Sequence, residues 1–310
     1  MGNLTKKQHY VWRKYLKAWL PSGEDARIYT AFKAQNKVNL VALMGVGQQS
    51  YFYKMHELTK QDIDLIKAMV HGVSDILKGI MSDIATAYYS YTELKYLYRT
   101  DPTVKQKHPN IEQDIKEIEI NTFEKIEGMI ENMGHRLLEC SGVDDLNKLE
   151  VDDGIQDALL YFFVQYGRTK NMYDRYVNGF AESPKHQSLI EHAFPFVSLY
   201  FAFELCHSTI NSNWHITYVK NNTGIPFITS DQPIINYAYN EETDEGFELY
   251  YPISPVSAII LEVDAQSPQY SEYEADEKFV NSRNNKMWEN AQLHVFANNE
   301  EVLKDFLNKK

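Results

Sequence analysis

The sequence predicts an α+β protein: a small, mostly antiparallel sheet from N- and C-terminal strands, with a large helical region between them. Three observations carry this expectation. RIYTAF at 27–32 and VNLVALM at 38–44 are short apolar runs rich in β-forming residues, joined by a polar turn around Gln35 and Asn36. From Thr59 to about His207, apolar residues recur at helical spacing. After Asn221 strand-like runs return, so strands from both chain ends are expected to share a sheet. With no internal repeat, low-complexity tract or linker, residues 1–310 are expected to form one domain, with 59–220 as a helical insertion.

The elements follow in order. Val11, Trp12, Tyr15, Leu16, Trp19 and Leu20 predict a first helix that Pro21 and Gly23 end, placing His9 and Arg13 on one face near its start. In the middle, Ile63, Ile66 and Val70 set one stripe, and Leu94, Leu97 and Tyr98 close another before Asp101-Pro102. Ile111, Ile115, Ile118, Phe123, Ile126 and Ile130 line an acidic amphipathic helix or helix pair. Ile155, Leu159, Phe162, Phe163 and Tyr166 belong to a helix apolar enough to be buried. The apolar run 189–207 is a further helix, kinked or restarted by Pro195. IPFITS, IINYAY, FELYYPIS and VSAIILEV read as strands, with 239–246 an acidic hairpin loop. A helix around Phe279–Trp288, a strand at 293–297 and a helix at 299–308 complete the chain.

Composition narrows the function. The 310 residues are 44% hydrophobic and 24% charged, and a net charge of −12 argues against a surface built to coat nucleic acid. Charge is uneven, however: Lys6, Lys7, Arg13, Lys14 and Lys17 all precede the first acidic residue, Glu24. Two cysteines outside any metal-ligand spacing supply no disulfide framework. The start lacks an apolar leader, and the run 38–47 is too short to span a bilayer, so a cytoplasmic protein without membrane partners is expected. No HExxH, GxSxG or phosphate-loop pattern is present, which disfavours zinc peptidases, serine hydrolases and P-loop enzymes.

Three strings place chemically capable side chains at the edges of apolar segments. In QYGRT at 165–169, Gln165, Arg168 and Thr169 fall at i, i+3 and i+4 of a buried helix. A buried arginine needs a partner: a bound phosphate or carboxylate, or an internal acid such as Asp174 or Asp231. In FITSDQP at 227–233, Ser230 and Asp231 end a strand that Pro233 closes; Asp231 suits a general base, a metal ligand or an Asx-type turn. His9, near Lys6, Lys7 and Arg13, would be kept neutral by that positive field, or would simply cap its helix.

The strings together resemble the family known as domain of unknown function 4238. His9, Tyr10, Val11, Tyr15, Leu16 and Trp19 match its opening pattern, with Trp12 where proline is common. Gln165, Arg168 and Thr169 match its Gln-x-x-Arg-Thr motif, followed here by Lys170 instead of proline. Ser230, Asp231 and Pro233 match Ser-Asp-x-Pro, and Pro252–Pro255 matches its Pro-(Leu/Ile)-Ser-Pro stretch. A late-helix asparagine corresponds to Asn284 or Asn285. The resemblance raises His9, Gln165, Arg168 and Asp231 above their separate structural roles.

The resulting expectation is a hydrolase acting on a phosphodiester or phosphate ester, with a nuclease in a defence or toxin setting as one form. His9, Asp231 and Gln165 would be catalytic. Arg168, Thr169, Arg13, Lys6, Lys7, Ser230 and Asn284 would bind substrate. Asp231 would orient His9 or hold a divalent cation, Mg²⁺ or Mn²⁺, and a nucleotide or nucleic acid would be the partner. The alternative is a non-catalytic module that binds an anion or nucleotide and signals to a protein.

Overall fold

The computed structural model describes residues 4–151, 154–239, 246–263 and 269–308. It opens with β1 (Lys7–His9), α1 (Arg13–Leu16), β2 (Arg27–Phe32), β3 (Lys37–Ala42) and β4 (Gln48–Ser50). The helical middle holds α2 (Lys60–Gly72), α3 (Asp75–Thr100), α4 (Pro102–Lys107), α5 (Ile111–Met133) and α6 (His135–Leu138). It continues through α7 (Val143–Lys148), α8 (Gly154–Gly167), α9 (Lys170–Gly179) and α10 (Pro184–Ile210). The last third contains β5 (Trp214–Asn221), β6 (Thr229–Ser230), β7 (Ile235–Asn236), β8 (Glu248–Ser254), β9 (Ser257–Val263) and β10 (Tyr270–Ala275). Helix α11 (Glu277–Asn290), strand β11 (His294–Ala297) and helix α12 (Glu300–Asn308) follow. The fold class is α+β.

Strands from the two chain ends do share a sheet, of order β3-β2-β11-β6 and antiparallel throughout. A second sheet, β10-β5-β9-β8-β7, is antiparallel except for the β10–β5 pair. Strands β5 and β10 have no counterpart among the sequence expectations. The polar edge strand β10 exposes three successive residues, Glu272–Glu274, and so lacks an apolar alternation to read. Segments 225–230 and 234–239 form shorter ladders than expected, because other groups satisfy their backbone. Phe227 N–H donates to the Pro255 carbonyl (2.9 Å) and Ile228 N–H to the Asn284 side chain (3.0 Å). The acidic loop expected at 239–246 lies mostly outside the described residues.

The first helix is the main correction. Residues 7–9 form strand β1, antiparallel to β4, and helix begins only at Arg13. Tertiary pairing overrides helical spacing here: the Tyr10 and Val11 N–H groups both donate to the Gly47 carbonyl. Buried Gln8 locks the arrangement, donating to the Ile120 carbonyl (2.7 Å) and accepting from Tyr53 N–H (2.7 Å). His9 and Arg13 therefore sit on different elements that meet at a bend.

The middle helices follow the predicted stripes closely. α2 starts in a capping box between Thr59 and Asp62, and α3 ends at Thr100, before the predicted stop. Helix α10 is long and apolar enough to cross a membrane by length and composition, but most of that window is buried in the protein. Its kink falls at Ala193, two residues before Pro195, whose ring and missing N–H disturb the preceding turn. Helices α5 and α10 pack on α8, and all three contribute with β8 and β9 to the larger of two buried apolar clusters, which also takes in Tyr10, Tyr15 and Trp19.

Candidate active site

Strand β1 delivers the half-buried imidazole of His9 to a cavity of about 520 Å³ between the N-terminal strands and α5. Burial, then the nearby Arg13 charge, lowers its pKa to about 4, while a backbone hydrogen bond at Leu43 acts the other way. His9 is thus neutral at physiological pH, and its buried Nε2 has no hydrogen-bond partner within the protein.

The opposite wall is one face of α5. Glu124, Glu127 and Glu131 follow each other along successive turns and all line the cavity. Glu127 lies on the apolar side of that helix, between Phe123 and Ile130, and is almost fully buried. Burial raises the Glu124 and Glu127 carboxyls to about 7 each, and it raises Glu131 as well. One Glu127 oxygen, Oε1, has no partner.

Arg168 supplies the countercharge from just beyond the end of α8. Its Nη1 donates to Glu127 (3.0 Å), and its Nη2 to Glu131 (2.7 Å) and Gln165 Oε1 (2.8 Å). Gln165 in turn donates to the Tyr10 carbonyl (2.9 Å), tying the network to the bend beside His9. The arginine's partners are therefore Glu127 and Glu131, not the Asp174 or Asp231 that the sequence offered. Both of its terminal nitrogens are already in use, its Nε is buried without a partner, and Arg168 does not line the cavity, so the charges that could meet an anion there are other cations. Arg13, Lys14 and Lys17 provide them on the cavity wall, beside Asp25.

Asp231 lies elsewhere and does not line this cavity. Its carboxylate accepts main-chain N–H bonds from Gln292 (2.9 Å), Leu293 (2.6 Å) and His294 (3.0 Å), pinning β11 beside β6. Burial raises it to about 6 against the pull of those three donors, so it is mostly ionised at neutral pH. This geometry corrects the expectation that Asp231 orients His9, and three main-chain donors take up three of the carboxylate's roughly four lone-pair sites. Among the described residues, no three His, Cys, Asp or Glu side chains gather in a metal-binding arrangement.

The remaining expected residues are dispersed. Lys6 and Lys7 are exposed and do not line the cavity. Thr169 lies past the end of α8, where it caps α9 by accepting from Met172 N–H (3.2 Å) and donates to Gln232. Ser230 Oγ accepts the Gln232 N–H (3.1 Å) in a local turn. Asn284 clamps the backbone ahead of β6, accepting from Ile228 N–H and donating to the Pro226 carbonyl (2.9 Å). The fold thus gathers His9, Arg13, Gln165 and Arg168 at one place and leaves Asp231, Ser230, Thr169 and Asn284 in another. Sequence reasoning missed Glu124, Glu127 and Glu131. Their signal was a carboxylate, Glu127, on the apolar stripe of α5.

Fold and site together define an α+β protein whose buried carboxylates and neutral histidine face one cavity beneath a cationic rim. The chain belongs to the family described as Protein of unknown function (DUF4238), which it matches over residues 7–301. No curated protein and no solved structure matches it.

Proposed function

We propose that this protein is an acid–base hydrolase acting on a small phosphate ester or phosphodiester in the His9 cavity. One observation carries the reading. A neutral His9 with an unpartnered Nε2 shares the cavity with Glu124, a carboxyl of pKa about 7, beside Arg13, Lys14 and Lys17. The three cations hold the ester's charge. The His9 Nε2 lone pair orients the attacking water, whose oxygen bonds to phosphorus as the bond to the leaving oxygen breaks. Glu124 accepts the water proton and passes it to that leaving oxygen. Arg168 and Gln165 hold Glu127, Glu131 and the His9 bend in place.

A volume of about 520 Å³ suits a substrate of nucleotide size. A nuclease acting on a strand end belongs to the same class, although the net charge of −12 favours small substrates over nucleic acid. Two free, buried thiols, Cys140 and Cys206, support a cytoplasmic setting.

The test is a panel of phosphomonoesters, phosphodiesters, nucleotides and oligonucleotides, assayed with and without Mg²⁺ or Mn²⁺. Glu124→Gln is expected to lower kcat by about 10²–10⁴-fold. Gly128→Leu, which adds a side chain into open space on the cavity wall, is expected to abolish binding. Turnover that survives both Glu124→Gln and His9→Ala would sink the proposal, and saturable binding without turnover would make the protein a binding module.

A further inference from the structure

A second cavity, of about 410 Å³, shares no lining residue with the first. Its walls come from segment 232–239, from Tyr166 of α8, and from one side each of α9 and α11. Arg175 and Lys286 face it from the two helices, and no carboxylate lines it among the described residues. In a chain of net charge −12 that local imbalance favours an anion.

Among the described residues, no carboxylate neutralises either cation. Arg175 donates to the Asn290 side chain (3.3 Å), and neither residue forms an ion pair with a described carboxylate. The rest of the wall is neutral. Buried Ile234 and Ile235 form an apolar strip, and Tyr166 and Tyr239 add aromatic rings. Gln232 is held rigidly behind it. Its Nε2 donates to the carbonyls of Ile234 (2.8 Å) and Tyr166 (3.3 Å), and its Oε1 accepts from Thr169. A site lined by two cations together with aromatic rings and aliphatic carbon has the chemistry for a phosphate carried on a flat, partly apolar body.

We propose that this second cavity binds a small aromatic phosphate of the nucleoside monophosphate type, with Arg175 and Lys286 on the phosphate and Tyr166 and Ile234 against the base. The proposal is independent of the hydrolase reading, because the two cavities draw on different residues.

The experiment uses the full chain carrying Arg13→Gln, Lys14→Gln and Lys17→Gln, which removes the first cavity's cations. Adenosine monophosphate, inorganic phosphate and adenosine are titrated in turn by calorimetry at low and high salt. The monophosphate is expected to bind saturably and more weakly at high salt, with phosphate competing and adenosine weaker. Adding Arg175→Gln and Lys286→Gln is expected to weaken it by about tenfold or more per cation. Both side chains are at least partly exposed, and an unchanged thermal melt verifies that the variants fold. Failure of the monophosphate to saturate in that background, or affinity unchanged by the two added substitutions, overturns the proposal. Loss of binding only when Arg13, Lys14 and Lys17 are replaced overturns it too, and assigns the ligand to the first cavity.

Discussion

Arg168 carries its charge inside the protein, at 1% exposure, and two carboxylates and an amide share its donors. Replacing it leaves Glu127, itself buried, without a countercharge, so Arg168→Ala is expected to destabilise by about 3–5 kcal/mol. Removing the cation pushes the Glu127 and Glu131 carboxyls further up, and protonation relieves them at low pH. The loss measured by urea unfolding should therefore be smaller at pH 5 than at pH 8. An equal loss at both values would mean that packing, not charge, is what Arg168 contributes. The same arithmetic explains why an arginine that sequence alone offers to a substrate is consumed internally. Two acids outnumber it, and they sit one turn apart on the facing helix.

Elements set the site through their junctions. The segment 165–169 leaves α8 and stands between the two cavities: Gln165 and Arg168 hold the first, while Tyr166 and Thr169 hold Gln232 at the second. Helix α5 must approach α8 closely for this to work, and Gly134 at its end permits the approach. A Cβ at Gly134 would lie 2.2 Å from Tyr161 Cγ, and Tyr161 is fully buried with its hydroxyl bonded to Tyr251 (2.8 Å). Gly134→Ala is expected to cost about 1–3 kcal/mol by overpacking. Gly128→Ala, in the same helix but facing open space, should cost nothing in a urea melt. If the two variants unfold at the same denaturant concentration, the close approach at Gly134 is not a constraint.

At the scale of the whole molecule, buried carboxyls give stability an unusual pH dependence. Glu124 and Glu127 at about 7 and Asp231 at about 6 all lie above their unfolded values, and Glu131 is raised as well. The native state then binds more protons than the unfolded chain between roughly pH 4.5 and 7, so their contribution is lost as pH rises through that window. His9, lowered to about 4, and His56 and His294, also lowered by burial, act in the opposite sense below about 6.5, but they are three groups against four carboxyls and do not titrate above that value. Tm is expected to fall from pH 5.5 to pH 8. Glu124→Gln removes one of these protons, so it should be more stable than the wild type at pH 8, with the gap closing at pH 5.5. A Tm that climbs over this range, or a Glu124→Gln gap independent of pH, would count against raised carboxyls in the cavity.

Much of this architecture was legible in the sequence because it depends on local periodicity. The stripes of α2, α3, α5, α8 and α10, the β2 and β3 runs and the sharing of a sheet between the two chain ends follow from which residues must be buried. The ordered strings around His9, Arg168 and Asp231 sufficed to show the family, because their order does not depend on which of them meet. Tertiary structure alone decided that meeting. It turned residues 7–9 into a strand through pairing with β4, gave Arg168 to Glu127 and Glu131 instead of Asp231, and enclosed Asp231 among main-chain donors. Sequence spacing fixes which side chains share a helix face. Which faces are brought together, and hence which charges must neutralise one another away from water, is set by packing between segments more than 30 residues apart in the chain.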